Sequence, residues 1–358
     1  MKLLLNRQVR LIMLLIIAVL LFGLAGCSGG TESGDQTKNS DGEVIELKLA
    51  HFFPSVHPAE TDLIQPWAKA IEEATDGKVK IVSYPGQTLL QADNVYDGVI
   101  DGIADLGLSC FAYTRGRFPV LEAFELPGII YKNSKVASKV AWEGVNQLNP
   151  QEVQDTKLMM ILATGPGDLF TKVPIHTIDD LQGVAIRATG LSAKTLETLG
   201  ASPVAMPQSE AYEALSKGVV QGNLGPVEVL KGWKNAEVTD YVTKTPFLYN
   251  TLFFITMNLD KWNSMSSEVQ DAITAVNEEY FEKAAMGLWD KQNAAAKEFA
   301  QENNLEFITL QDTEANRWIQ RVEKIQDEYI TATAEKGLPG EEALSVVKEL
   351  SDKYNKDY

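Results

Sequence analysis

The sequence predicts an α/β protein of two lobes. Strand-like and helix-like segments alternate along most of the chain, two blocks of this alternation follow one another, and long helical patterns close the sequence. Alternation of this kind builds layers with mainly parallel sheets. Two blocks of similar size place a cleft between them, where ligands favour the carboxyl ends of parallel strands.

The first block opens with Val44 to Ala50, whose alternating apolar and polar residues read as a strand. Pro58 to Ala74 has helical spacing through Leu63, Trp67, Ala70 and Ile71, with Pro58 near its start. Lys78 to Tyr84 reads as a strand after the turn Asp76-Gly77, Asn94 to Ile100 as a helix, and Ala104 to Leu108 as a short buried strand. Asn133 to Leu148 is an amphipathic helix capped by Asn133 or Ser134, and Leu158 to Ala163 is a further buried strand. The second block begins after the breakers Thr164-Gly165-Pro166-Gly167. It holds a strand at Val184 to Arg187, a helix from Ser192 to Leu199 stopped by Gly200, a helix from Ser209 to Lys217 capped by Ser209, and a helical Val227 to Asn235. Tyr241 to Thr245 and Leu252 to Met257 read as strands. A long helical pattern from Ser267 to Gln301, a strand at Leu305 to Leu310, and helices over Thr313 to Lys336 and Gly340 to Tyr354 complete the chain.

The N-terminus is read apart from the fold. Lys2, Arg7 and Arg10 precede an apolar run from Leu11 to Phe22, which has the length and flanks of a secretory signal. The run ends in Leu24-Ala25-Gly26-Cys27, which resembles the bacterial lipobox. That resemblance implies cleavage before Cys27 and lipidation of its sulfur. Ser28 to Gly42 carries no apolar residue and reads as a flexible tether. The expected organisation is a signal peptide over 1–26, lipidated cysteine and tether over 27–43, a first part of lobe I over 44–163 and a first part of lobe II over 164–250. Residues 251–358 complete both. The expected location is outside the cytoplasm, anchored to the cell membrane and facing the periplasm or the cell exterior.

The formal charge of −17 over 358 residues argues against nucleic-acid partners, which need basic patches. It does not argue against an anionic ligand, because one buried arginine dominates its surroundings while net charge governs steering. With Cys27 lipidated, Cys110 is the one remaining cysteine, and its apolar neighbours make it a buried core residue. The three histidines, His51, His57 and His176, form no zinc spacing, and no nucleophile elbow, phosphate loop or dinucleotide fingerprint occurs. The expectation is therefore a binding protein with no catalytic set, metal or cofactor.

Three blocks carry a specific resemblance. Thr177-Ile178-Asp179-Asp180-Leu181-Gln182-Gly183-Val184-Ala185-Ile186-Arg187 is followed by Leu199-Gly200-Ala201-Ser202-Pro203-Val204-Ala205-Met206-Pro207, and then by Ser209-Glu210-Ala211-Tyr212-Glu213-Ala214-Leu215 with Gly218-Val219-Val220-Gln221-Gly222. Tyr84 to Leu89, Gly102 to Gly107 and Phe124 to Gly128 add to them. In this order the blocks resemble the DctP-type solute receptors of TRAP transporters, from about residue 44 onward.

The resemblance implies a periplasmic-binding-protein-like fold, with hinge strands crossing twice and a long helix spanning both lobes, for which Ser267 to Gln301 is the expected segment. It implies closure around a small organic acid and delivery to the membrane subunits of a permease driven by an ion gradient. The receptor is taken as a monomer. It also implies that Arg187 pairs with the ligand carboxylate, for which a planar guanidinium offers a matching two-donor fork. The stretch Ser109, Cys110 and Phe111, the loop His51, Phe52 and Phe53, and Gln208 are carried over as cleft positions, with Phe53, Phe111, Trp233 and Tyr249 as rings to stack on a ligand. The chain departs from the pattern twice. Gly165-Pro166-Gly167-Asp168 holds no second arginine, and Gly225 stands before Pro226 where many relatives have asparagine. Asn223 and Glu228 are the expected polar contacts there. One permanent cation suggests a monocarboxylate whose remainder is read by apolar surface and neutral hydrogen bonds. A ligand sensor for a membrane signalling partner and an exported α/β enzyme are the alternatives left open.

Overall fold

The computed structural model describes residues 44–358, which form one compact unit. The expected signal, Cys27 and tether lie outside the described residues. Eleven strands are described: β1 (Ile45–His51), β2 (Val79–Tyr84), β3 (Leu106–Cys110), β4 (Thr156–Ala163), β5 (Gly167–Thr171), β6 (Ala185–Ala188), β7 (Ser202–Ala205), β8 (Gly222–Pro226), β9 (Tyr241–Lys244), β10 (Leu252–Asn258) and β11 (Glu306–Thr309). They form two sheets, ordered β2-β1-β3-β10-β4 and β11-β9-β5-β8-β6-β7. Each sheet is the centre of one lobe.

The chain passes between the sheets at β4–β5 and again at β9–β10. These crossings explain a departure from the mainly parallel expectation. β10 is antiparallel to both β3 and β4, and β5 is antiparallel to both β8 and β9, while β1, β2 and β3, and β6, β7 and β8, run parallel. A strand that leaves one sheet at its cleft edge enters the other through that sheet's cleft edge. It must then run against its new neighbours. The two crossings are tied together by Asp168, whose Oδ1 accepts the Thr245 N–H at 2.8 Å.

Strands β5, β7 and β8 were not expected, because glycine and proline stand in or beside all three. Pro203 is tolerated since β7 is an edge strand, and Pro226 since it ends β8. Gly222 is required: a Cβ there would lie 2.8 Å from Thr171 Cγ2 and 3.1 Å from the Phe170 carbonyl.

The expected long helix spans both lobes in segments: an α-helix over Ser267–Tyr280, a π-helical turn over Phe281–Ala285, and an α-helix over Leu288–Glu302. Val269, Ile273, Phe281 and Trp289 pack in the core beneath the first sheet, and Ala296 and Ala300 pack in the core beneath the second. The single helix expected over Thr313 to Lys336 breaks at Glu323 into Asp312–Val322 and Lys324–Glu335, and the helix expected over Val227 to Asn235 is only Val229–Gly232. Asn133 caps the helix Ser134–Leu148 by accepting the Val136 N–H at 2.9 Å. Ser209 caps nothing, since the helix Gln208–Ser216 starts directly after Pro207. No described helix is long and apolar enough to cross a membrane.

Candidate functional site

Arg187 is the third residue of β6, between Ile186 and Ala188, which are fully buried in the core. Strand alternation turns Arg187 to the opposite face, where it lies beside its register partner Asn223 on β8. It is 2 % exposed. Its Nε donates to the Met206 carbonyl at 2.9 Å, and its Nη1 donates to Gln208 Oε1 at 3.1 Å and Asn223 Oδ1 at 3.3 Å. Asn223 Nδ2 in turn donates to Gln208 Oε1 at 3.1 Å and to Asn235 Oδ1 at 2.7 Å. This neutral frame holds the guanidinium in one orientation without cancelling its charge. Among the described residues, Nη2 has no hydrogen-bond partner and no carboxylate pairs with Arg187.

The guanidinium faces a cavity built from both lobes. Phe52, Phe53, Cys110, Tyr113 and Phe253 come from the first lobe, Arg187, Gln208, Pro226, Glu228, Val229 and Trp233 from the second, and Tyr249 from the second crossing. Six of the lining residues are aromatic. Phe52 stacks on Phe53 with ring centroids 4.2 Å apart, and Trp233 lies 5.9 Å from each of them. Among the described residues, Arg187 is the one cationic side chain lining the cavity. Burial pushes the Cys110 thiol well above its ordinary value, so this wall residue stays a protonated, unreactive surface.

The lobes also meet directly. The Gln208 N–H donates to the Tyr113 hydroxyl at 3.0 Å, and His57 Nε2 lies 3.3 Å from Glu228 Oε2. A Cβ on Gly190 would lie 2.9 Å from Ala112 Cβ, so this glycine lets the rims approach.

Three positions expected in the cleft, Ser109, Phe111 and His51, do not line the cavity. Ser109 donates its hydroxyl to the Ala92 carbonyl at 2.7 Å. Phe111 packs edge-on against Phe118, with centroids 4.8 Å apart, in the core. Both alternate along the chain with Cys110, which does line the cavity. His51, the last residue of β1, turns away to Glu60 Oε2 at 2.8 Å and Ser83 Oγ at 3.1 Å. Phe53, Gln208 and Glu228 line the cavity, and Asn223 stands behind Arg187. Phe52, expected with the loop after β1, lines the cavity as well. Tyr113, Phe253, Asn235 and His57 were not singled out, and no local pattern marks them. In the stretch Gly165-Pro166-Gly167-Asp168, where the resemblance led to the expectation of a second arginine, Gly167 leaves no room for a side chain: a Cβ would lie 2.5 Å from Tyr249 Cδ1 and 2.7 Å from the Gly225 carbonyl.

Two lobes, joined by two strand crossings and a spanning helix around a cavity with a fixed cation, have the architecture of a ligand-binding receptor. Residues 49–332 match the family model of DctP, bacterial extracellular solute-binding protein family 7, and the chain belongs to that family. It is similar to a TRAP periplasmic solute-binding protein of Desulfovibrio salexigens at 35 % identity, covering 87 % of this chain and 96 % of the other with a TM-score of 0.75. A marine metagenome TRAP solute-binding protein specific for aromatic acid ligands, solved with meta-hydroxyphenylacetate, is 30 % identical over 87 % of this chain and 99 % of its own, with a TM-score of 0.82. A Bordetella bronchiseptica TRAP receptor with bound mandelate is 30 % identical over 86 % of this chain and 99 % of its own, with a TM-score of 0.79.

Proposed function

We propose that the protein captures an aromatic monocarboxylate in the interlobe cavity and hands it to the membrane subunits of a TRAP permease. The observation that carries this reading is a single guanidinium, with Nη2 unpartnered among the described residues, facing a cavity walled by six aromatic residues. A carboxylate supplies the missing acceptor as a charge-assisted bond. The rings supply flat apolar contact for an aromatic remainder. The aromatic acids named for the metagenome and Bordetella relatives support the same class. Closure follows by population shift, since the ligand touches both lobes only when they are together.

Thermal unfolding of residues 28–358 against a panel of acids tests the class. A ligand at ~100 times its dissociation constant adds about 2.7 kcal/mol of stability. The expected result is a rise of several degrees with benzoates, phenylacetates or mandelates and little change with C4 dicarboxylates or sugar acids. A rise with dicarboxylates alone refutes the aromatic class.

We further propose that Cys27 carries a lipid and that residues 28–43 tether a monomeric receptor to the outer face of the cell membrane. The lipobox-like Leu24-Ala25-Gly26-Cys27 supports this. Cys27→Ala is expected to move the protein from the membrane fraction to the soluble exported fraction. Unchanged membrane retention of the variant contradicts the anchor.

A further inference from the structure

Glu228 poses a problem that the carboxylate reading does not solve. It lines the cavity, is 3 % exposed, and forms no ion pair with Arg187 across that cavity. Its one hydrogen-bonding partner among the described side chains is His57, and the hydrogen-bond direction there is fixed by the backbone. The Ala59 N–H donates to His57 Nδ1 at 3.1 Å, so the ring proton sits on Nε2, which lies 3.3 Å from Glu228 Oε2. Behind the pair is bare backbone. A Cβ on Gly232 would lie 2.6 Å from Glu228 Oε2 and 2.9 Å from His57 Nε2. The carboxylate is thus positioned through one oxygen, while Oε1 has no hydrogen-bond partner among the described residues.

Oε1 faces the cavity, and once a ligand fills that space and excludes water, a carboxylate oxygen with no donor is costly unless the ligand donates to it. Nothing in the described cavity wall does so. We propose that Glu228 reads a hydrogen-bond donor on the ligand, making the preferred ligand an aromatic monocarboxylate that also bears a hydroxyl or an ammonium group. Arg187 takes the carboxylate and Glu228 takes the donor. His57 is a positioning residue, which orients Glu228 from the opposite lobe. This proposal rests on the aromatic-carboxylate reading above. A site built to pair a donor discriminates far more strongly than one that merely fits a methyl group, because the analogue without the donor leaves a buried acceptor unpaired.

The test uses ligands of nearly equal size: the meta and para isomers of hydroxybenzoate, methylbenzoate and aminomethylbenzoate. Binding to the purified protein is followed by calorimetry. The wild-type protein is expected to bind at least one hydroxy or aminomethyl isomer about 100-fold more tightly than its methyl counterpart. Glu228→Leu is expected to abolish that preference while leaving the methyl compound bound at least as well. Glu228→Gln keeps the shape and an acceptor oxygen. It is expected to retain a preference for hydroxyl and to lose one for ammonium, which separates the two donors and decides the question even if the leucine variant does not fold.

Equal affinities of wild type for all substituents overturn the proposal. So does a Glu228→Leu variant that weakens every acid by the same factor, since Glu228 and His57 then act only as a contact between lobes. Failure of the wild type to bind any of these acids removes the aromatic-acid reading itself, and this inference with it.

Discussion

Arg187→Ala is expected to weaken binding of the cognate acid by about 30-fold to several thousand-fold, with only a small change in the thermal midpoint of the ligand-free protein. Truncating one partner of a buried, hydrogen-bonded charge pair costs about 2–5 kcal/mol, and each 1.4 kcal/mol is tenfold. The ligand-free protein loses less, because Arg187 has no carboxylate partner there and its burial is costly. What remains after truncation is a neutral frame. Gln208 Oε1 still accepts from Asn223 Nδ2, and Asn223 still donates to Asn235. The Met206 carbonyl and Asn223 Oδ1 are the groups left without their donor. Arg187→Lys is expected to fall between the two, since an ammonium keeps the charge and loses the planar fork. Calorimetric titration alongside thermal unfolding reads both quantities. An alanine variant that binds like wild type refutes the site, and one that does not fold shows Arg187 to be structural.

Stability is expected to fall as the pH rises from about 5 to about 8, and Glu125→Gln is expected to remove most of that slope. Burial pushes the Glu125 carboxyl up to about 8, although the Leu252 N–H donates to its Oε1 at 2.7 Å and pulls the other way, with Glu122 adding to the rise. The unfolded chain titrates near the ordinary 4.5. Between those values the folded protein holds a proton that the unfolded chain has released. The contribution is therefore complete below about 4.5, is lost as the pH climbs through about 8, and is constant above that. Asp168 and Glu152, each raised to about 6 chiefly by burial, add to the slope with the same sign at its acid end. Denaturant unfolding at pH 5, 7 and 9 checks this. The glutamine variant should gain most over wild type at pH 9, by up to several kcal/mol at 1.36 kcal/mol per unit. An undiminished slope in the variant contradicts the assignment to Glu125.

The second-lobe half of the site was legible because its residues stand at element ends that short motifs mark. Arg187 follows Gly183-Val184-Ala185-Ile186 on a strand, and Gln208 opens a helix after Pro207. The first-lobe half was not legible for a specific reason. β3 is buried along its whole length, so no polar alternation tells which parity faces the cavity. The stretch Ser109-Cys110-Phe111 was carried over whole, and only Cys110 lines the cavity, because successive strand residues face opposite ways. His51 was misplaced in the same way, at the last position of a strand whose following residues do reach the cavity. Asn235 and His57 are brought in by tertiary folding, from a loop after the left-handed Lys234 and from a turn before a π-helical segment, and neither carries a local signature. At the level of the fold, alternation gave the two lobes, and the resemblance gave the helix that spans them. The strands hidden behind Gly165-Pro166-Gly167 and within Gly222 to Pro226 are stabilised by close backbone pairing, which residue propensity does not report.

The most direct test of the central claim is a crystal structure of the protein with a hydroxybenzoate bound. The account predicts the carboxylate on Arg187, the ring among Phe52, Phe53, Trp233 and Tyr249, and the hydroxyl toward Glu228. A carboxylate bound instead in the separate surface groove lined by Lys132, Lys135, Lys244 and Lys297, with the aromatic cavity left unused, would contradict it.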